Sequence, residues 1–199
     1  MTEDIKIFDL YETKSITVED PGLKRYINLD ARLVLKSHGR AKGKFSKGKV
    51  NVVERLIGLL GVPGHRGKKH KIQTSHSSGK YSKNVKILLQ AFKQIEEKTK
   101  QNPVQVFVKA IENTAPKDEV TMIEYGGARY PQAVDVSPTR RLALSLRNIV
   151  HGAYDKAFNK RTNMSEALAN EIILASQNSN ESFAAGKRNE AEKQADAAR

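Results

Sequence analysis

Apolar residues in this chain recur at helical spacing, except in one segment whose spacing is that of two strands. In the helical segments an apolar side chain returns every three or four positions, which is typical of a helix with one buried face. These segments cover residues 51–61, 82–101, 103–113, 138–159 and 165–178. Residues 120–125 and 128–136 alternate in part around Gly126-Gly127, which predicts a hairpin. The pattern predicts a mainly α fold: a bundle of five to six helices with an inserted, protruding β-hairpin and a basic N-terminal arm.

Capping residues mark where the predicted helices begin. Asn102-Pro103 and Ser137-Pro138 each place a capping side chain before a proline at the first helical position. Asn51 is followed three residues later by Glu54, which is typical of a capping box. We expect three parts: an N-terminal extension and basic arm over residues 1–50, a helical domain over 51–178 with its hairpin at 120–136, and a C-terminal tail helix over 179–199.

Positive charge is concentrated in two parts of the chain. The sequence has 35 Lys and Arg against 22 Asp and Glu, a formal net charge of +13. Residues 36–71 hold eleven Lys or Arg against one acidic residue, and residues 138–161 hold six against one, whereas residues 1–20 carry a net charge of −4. Such clustering is typical of phosphate contacts and indicates a nucleic-acid partner. The alternatives are charge that only keeps the protein soluble and, as the lesser partner, an anionic membrane surface.

The sequence argues against several classes of protein. No apolar run reaches the ~20 residues that a bilayer span needs, and the acidic start lacks the pattern of a signal peptide. Cysteine is absent, which excludes disulfides, thiolate zinc sites and thiol catalysis and fits a reducing compartment. We therefore expect a cytoplasmic protein without a membrane partner.

No motif supports catalysis or cofactor binding. Residues 43–49 match the spacing of a phosphate-binding loop, but Val50 stands where that loop needs Ser or Thr for magnesium, and no parallel strand–helix unit surrounds it. His65 and His70 flank lysines whose positive charge opposes a metal ion. We expect no enzyme, no cofactor, no metal site and no small-molecule substrate.

Two tyrosines flank the predicted hairpin turn. Tyr125 and Tyr130, with Arg129 beside them, form a combination suited to stacking on unpaired bases. The same residues also fit a cross-strand aromatic pair that stabilises the hairpin. Both interpretations stay open at this point.

Arginines also cluster at the start of the longest predicted helix. Arg140 and Arg141 fall in its first turn, where backbone N–H groups attract phosphate. Together with Arg147 they lie off the apolar stripe that includes Leu142. We therefore expect all three arginines on the surface.

The segment from Asn102 to Arg141 resembles a known family. The similarity is carried by residues 102–113 (NPVQVFVKAIEN), by Gly126-Gly127 and by residues 132–141 (QAVDVSPTRR), and it extends over roughly residues 25–199. These motifs resemble the universal small-subunit ribosomal protein seven family, in its archaeal form.

The resemblance implies a helical bundle with a protruding hairpin that belongs to the small ribosomal subunit of the cytoplasmic ribosome. Members bind the 3′ major (head) domain of the rRNA, nucleate its assembly, line the exit-site path of tRNA and mRNA, and contact neighbouring small-subunit proteins. It implies that the hairpin tip, Tyr125, Gly126, Gly127, Arg129 and Tyr130, faces tRNA and mRNA. The basic arm and loops, together with the resemblance, give these rRNA-binding candidates: Arg40, Lys42, Lys44, Lys47, Lys49, Arg66, Lys68, Lys69, Lys71, Lys80, Lys83, Arg140, Arg141 and Arg147. The chain departs from the family at Tyr81, where members often have a basic residue, and from the bacterial members at Ser137, where they have a basic residue before the proline.

A second function class is an architectural DNA-binding protein that uses the two C-terminal helices as a helix-turn-helix. The presumed reading helix, from Glu166 to residue 178, contains Glu166 and Glu171 but no Lys or Arg, which suits a core position better than a DNA groove. A third class, an enzyme acting on RNA, has no motif in its favour.

Overall fold

The structure is a computed structural model that describes residues 5–62 and 79–199. Across these two ranges there are seven α-helices, one 3-10 helix and one antiparallel pair of strands. In chain order they are α1 (Pro21–Lys24), the 3-10 helix (Ser46–Lys49), α2 (Val52–Leu60), α3 (Tyr81–Thr99), α4 (Pro103–Thr114), β1 (Asp118–Tyr125), β2 (Ala128–Asp135), α5 (Pro138–Ala157), α6 (Met164–Ser176) and α7 (Phe183–Ala197). The predicted mainly α fold with an inserted hairpin is confirmed.

Most of the predicted helix starts are correct, with two local corrections. The Asn51 side chain accepts a hydrogen bond from the Val53 N–H (2.8 Å), and Asn102 caps α4 in the same way. Ser137 makes no side-chain cap to α5. The carboxylate of Glu54 accepts from the Ser37 N–H (2.6 Å), so it ties α2 to the preceding segment and is not the capping-box partner that the spacing predicts.

Helix α6 lies at the centre of the bundle and packs against α3, α4 and α5. Its alanines allow close approach, and Leu168 and Ile172 are fully buried. Around it, Phe92 of α3 and Phe107 of α4 fill the core with ring centres 6.2 Å apart. Because α6 is enclosed on most sides, it cannot enter a DNA groove, and the helix-turn-helix hypothesis has no support.

The N-terminal segment from residue 5 to residue 35 packs onto this bundle. Ile7, Leu23 and Leu35 are buried in the same hydrophobic core as the helices. The Thr17 N–H donates to the Gln105 Oε1 (3.0 Å), and the Gln105 side chain donates back to the Thr17 carbonyl (3.2 Å). Residues 5–35 of the predicted extension are thus continuous with the core.

The hairpin projects from the bundle. Gly126 and Gly127 have φ angles of 59° and 81°, as the primed two-residue turn requires. Side chains from residue 121 to residue 132 are exposed, and only the base of the hairpin contacts the body of the protein. There, the guanidinium of Arg199 forms an ion pair with the carboxylate of Asp118 (2.7 Å).

Candidate nucleic-acid interface

The described part of the first basic segment meets the start of the second on one side of the bundle. Residues 36–50, which we call the arm, lie next to α2 and to the first half of α5. A pocket of about 300 Å³ is lined by arm residues and by Arg55 and Thr139, and an adjoining pocket of about 380 Å³ extends to Arg147. Lys47, Arg55 and Ala143 line both pockets, so we treat them as one feature, the arm cleft.

Cationic side chains dominate the charged groups of the arm cleft. They come from three separate elements: Lys42 and Lys47 from the arm, Arg55 from α2 and Arg147 from α5. In the part of the chain that the structure describes, no carboxylate forms an ion pair with any of these four. Their charge is therefore available to an external anion.

Arg55 lines this cleft although it is not among the binding residues predicted from the sequence. Burial lowers the pKa of Arg55, yet an arginine keeps its proton at neutral pH. A partly buried cation with no partner carboxylate is costly unless an anion reaches it. The sequence signal was its position off the apolar face of α2, which Val52, Leu56 and Leu60 define.

A second pocket, of about 330 Å³, shares Ser37, Ala41 and Val50 with the arm cleft. Four cations line it, Arg32, Lys36 and, from the predicted set, Arg40 and Lys49, but so do the carboxylates of Asp30 and Glu54. Acidic groups are thus part of this pocket, so its field is less positive than that of the arm cleft. Arg40 and Lys49 are themselves exposed.

Tyr81 holds the start of the arm in place. Its hydroxyl donates a hydrogen bond to the Leu35 carbonyl, and the Lys36 ammonium lies 5.4 Å from the centre of its ring. Burial, with a further contribution from the negative charge of Glu54, raises the pKa of Tyr81 to about 12. The residue that departs from the family pattern is therefore an anchor for the arm and brings Lys36 to the surface beside it.

Seven further predicted cations fall into two groups. Lys44, Lys80 and Lys83 are exposed but do not line the arm cleft, and the Lys44 ammonium lies 5.5 Å from the ring centre of Phe45. The other group lies outside the described residues and consists of Arg66, Lys68, Lys69 and Lys71.

Arg141 is not on the surface, which corrects the prediction from the helical stripe. Its side chain is only 10% exposed, and its Nη2 donates to the Oδ2 of Asp20 at 2.7 Å. Burial raises the pKa of Asp20, but hydrogen bonds from Arg141 and from the Gly22 N–H, with the charge of Arg141, bring it below the usual value. Arg140 remains exposed and forms an ion pair with Glu119 (2.6 Å).

The hairpin tip presents aromatic rings to solvent. Tyr125 is 82% exposed and Tyr130 is 59% exposed. Tyr125 faces Ala128 and Tyr130 faces Ile123 in the register, so the tyrosines are diagonal neighbours and not the directly paired rings of the alternative interpretation. Arg129 forms only an exposed ion pair with Glu124 (3.3 Å), which is weak in water.

The described residues contain no group of His, Asp or Glu side chains arranged to hold a metal ion. Among the same residues, no helix is both long and apolar enough to cross a bilayer.

A helical bundle with a projecting hairpin and a cationic cleft is typical of a structural nucleic-acid-binding protein. The family model described as "Ribosomal protein S7p/S5e" matches residues 23–199. The chain therefore belongs to the ribosomal protein S7p/S5e family, which confirms the resemblance seen in the sequence. Because this family is structural, the prediction that the chain is not an enzyme is also confirmed.

Archaeal relatives match almost the whole chain. The small ribosomal subunit protein uS7 of Nanoarchaeum equitans is 50% identical over 196 residues, covering 98% of this chain and 99% of the relative. The uS7 of Methanothermobacter thermautotrophicus is 45% identical over 188 residues, covering 94% of this chain and 95% of the relative. The uS7 of Picrophilus torridus is 44% identical over 198 residues, covering 98% of this chain and all of the relative.

Proposed function

We propose that this chain is a structural protein of the small subunit of the cytoplasmic ribosome. It binds the head-domain rRNA, helps to nucleate that domain and contacts neighbouring subunit proteins. The observation that carries the proposal is the arm cleft, in which three elements direct four unpaired cations to one surface. Family membership supports rRNA as the polyanion.

Charge neutralisation is the physical basis of this binding. Each Lys or Arg that meets a phosphate releases condensed counterions, so affinity falls steeply as salt rises. We assign the first contacts to Lys42, Lys47, Arg55 and Arg147, because they share the cleft. The exposed cations outside the cleft make further phosphate contacts at its periphery. They are Arg40, Lys44, Lys49, Lys80 and Lys83.

Two predicted arginines have different roles in this proposal. Arg140 can exchange its exposed Glu119 partner for a phosphate at little cost, because surface ion pairs are weak. Arg141 holds the N-terminal segment through its ion pair with Asp20, so we assign it a supporting role beneath the RNA-binding surface. Arg66, Lys68, Lys69 and Lys71 remain predicted rRNA contacts.

RNA suits this surface better than duplex DNA. The cleft is formed by an irregular arm and by the side of a helix, which can follow loops and junctions. Duplex DNA is usually read by a helix or a pair of strands that enters its major groove, and α6, the helix considered for that role, is buried.

We further propose that the hairpin tip lies along the path of exit-site tRNA and mRNA. Tyr125 and Tyr130 offer open rings for stacking, Arg129 offers a positive charge, and the Gly126-Gly127 turn allows close approach. Deleting residues 126–130 should leave folding and rRNA binding intact and weaken tRNA binding by assembled subunits. Loss of folding in that variant would contradict the placement of the hairpin.

Binding to an isolated head-domain rRNA fragment tests the main proposal. We expect tight binding whose log affinity falls linearly with log salt concentration, and we expect Arg147→Ala to flatten that slope by about one unit. Lys109→Ala is the matched control, because Lys109 is exposed and lines a pocket with Lys98 that shares no residue with the arm cleft. A preference for duplex DNA over the rRNA fragment would overturn the proposal.

A further inference from the structure

The arm cleft contains an exposed aromatic ring, with the Lys44 ammonium 5.5 Å from its centre. Phe45 is 79% exposed, although it is a large apolar side chain, and it lines the same pocket as Lys42, Lys47 and Arg55. Isolated exposed apolar residues are common and need no explanation. Phe45 is different because it stands in a cationic pocket that also contains Tyr26.

The backbone holds Phe45 in an unusual conformation. Its φ and ψ angles are 63° and 2°, the left-handed region that a bulky residue rarely adopts. Local hydrogen bonds maintain this turn: the Ser46 hydroxyl donates to the Gly43 carbonyl (2.6 Å), and the Gly48 N–H donates to the Phe45 carbonyl (3.2 Å). Strained residues of this kind cluster at ligand sites, where the surrounding structure over-determines them.

The other walls of the pocket define the chemistry of a ligand. Tyr26 is partly buried against the core and forms a fixed aromatic wall. Thr139, in the first turn of α5, adds a hydroxyl. The site therefore combines two aromatic residues with three cations, which fits a flat aromatic group that carries a negative charge.

We propose that the pocket at Phe45 binds one unstacked nucleotide, with its base against the Phe45 ring and its phosphate near Lys47 and Arg55. The volume of about 300 Å³ lies at the small end of ligand pockets and suits a single nucleotide, not a helix. Bases within an A-form duplex are stacked on each other, so the nucleotide comes from a loop, a bulge or a junction. This inference rests on the proposed rRNA binding and adds to it a base contact that charge alone does not supply.

The test compares an aromatic with an aliphatic side chain at position 45. The full chain and the head-domain rRNA fragment are titrated over a salt series for wild type, Phe45→Leu and Phe45→Tyr. We expect Phe45→Leu to lose between about 5-fold and 150-fold in affinity, the range that base–aromatic stacking supplies. Its salt slope should equal that of the wild type because no phosphate contact is removed. Phe45→Tyr should retain nearly all of the affinity.

A control variant and a second RNA probe separate base stacking at Phe45 from general effects of losing an exposed apolar side chain. Leu33→Ala removes another exposed apolar side chain, one that does not line the pocket, and should bind as the wild type does. Single-stranded oligoadenylate should bind more tightly than an abasic oligomer of equal length, and Phe45→Leu should abolish that difference.

The possible results separate this inference from the proposed function. If the wild type fails to bind the rRNA fragment, the proposed function itself fails. If the wild type binds with a steep salt slope and Phe45→Leu binds equally well, the proposed function stands and the nucleotide pocket is refuted. A flatter salt slope in Phe45→Leu, or a Phe45→Tyr variant as weak as Phe45→Leu, also refutes it.

Discussion

Replacement of Glu171 by glutamine perturbs the polar contact that joins three helices. The Glu171 carboxylate of α6 has no exposed surface. It accepts hydrogen bonds from the Lys156 ammonium of α5 (2.7 Å), from the Ser182 hydroxyl (2.8 Å) and from the Ala184 N–H at the start of α7 (3.2 Å). Glutamine keeps the shape but removes the charge and turns one acceptor into a donor.

The size of the effect follows from the burial of the two partners. Removing one member of a fully buried ion pair costs about 3–5 kcal/mol, because the other charge is left without a partner. The Lys156 side chain is 36% exposed, so its ammonium can return to water and part of that cost is avoided. We expect Glu171→Gln to lower the free energy of unfolding by about 2–3 kcal/mol, the value of one hydrogen bond to a charged group.

Urea unfolding followed by far-UV circular dichroism measures this change. The m-value should stay constant, because the surface exposed on unfolding does not change. Glu166→Gln is the matched control, since Glu166 lies on the same helix but is exposed, and it should shift stability by less than about 0.5 kcal/mol. Equal, small effects of the two substitutions would refute the role given to Glu171.

Three further predictions concern packing and titration. Gly152→Ala places a Cβ 2.8 Å from the Phe183 Cβ and 2.9 Å from the Glu171 carboxyl carbon. It should lower the melting temperature by the equivalent of about 1–3 kcal/mol, and an unchanged melting temperature would contradict this packing. The Tyr81 contribution to stability should be complete below the unfolded pKa of about 10 and lost as pH rises toward about 12. Burial also raises the pKa of Tyr11, so an ultraviolet titration of Tyr81→Phe should show one late-ionising phenol fewer than wild type, and an unchanged number would contradict the assignment. Because the pKa of Asp20 is lowered, its contribution is present above the unfolded pKa and is lost as pH falls through the folded one. Asp20→Asn should therefore be less stable than wild type at neutral pH and lose less on acidification, whereas parallel pH curves would exclude the ion pair with Arg141.

The sequence predicted the elements that depend on local signals. The α4 start at Asn102-Pro103 and the turn at Gly126-Gly127 are both correct, because each is decided by backbone preferences over a few residues. The N-terminal segment gave no such signal. Its buried residues, such as Ile7 and Leu23, lack periodicity and gain their positions only from contacts with distant helices.

The errors and omissions at the candidate site have the same origin. Arg141 and Asp20 are 121 residues apart, so no local pattern reveals that this arginine is buried and paired. Arg55 lies on α2, and the sequence pattern of α2 indicates only its buried apolar face. Its place in the arm cleft depends on how the arm folds back over α2. Local charge counts identified which segments are basic, but only tertiary packing shows which cations share a surface.

Convergence of the arm and α5 on one stretch of RNA is tested most directly by backbone footprinting. The head-domain rRNA fragment is cleaved by hydroxyl radicals in complex with wild type, Lys47→Ala and Arg147→Ala. Because Lys47 and Arg147 line the same cleft, both substitutions should reduce protection of the same short run of nucleotides, while Lys109→Ala leaves it unchanged. Loss of protection at two separate regions, or at neither, would contradict a shared RNA-binding surface.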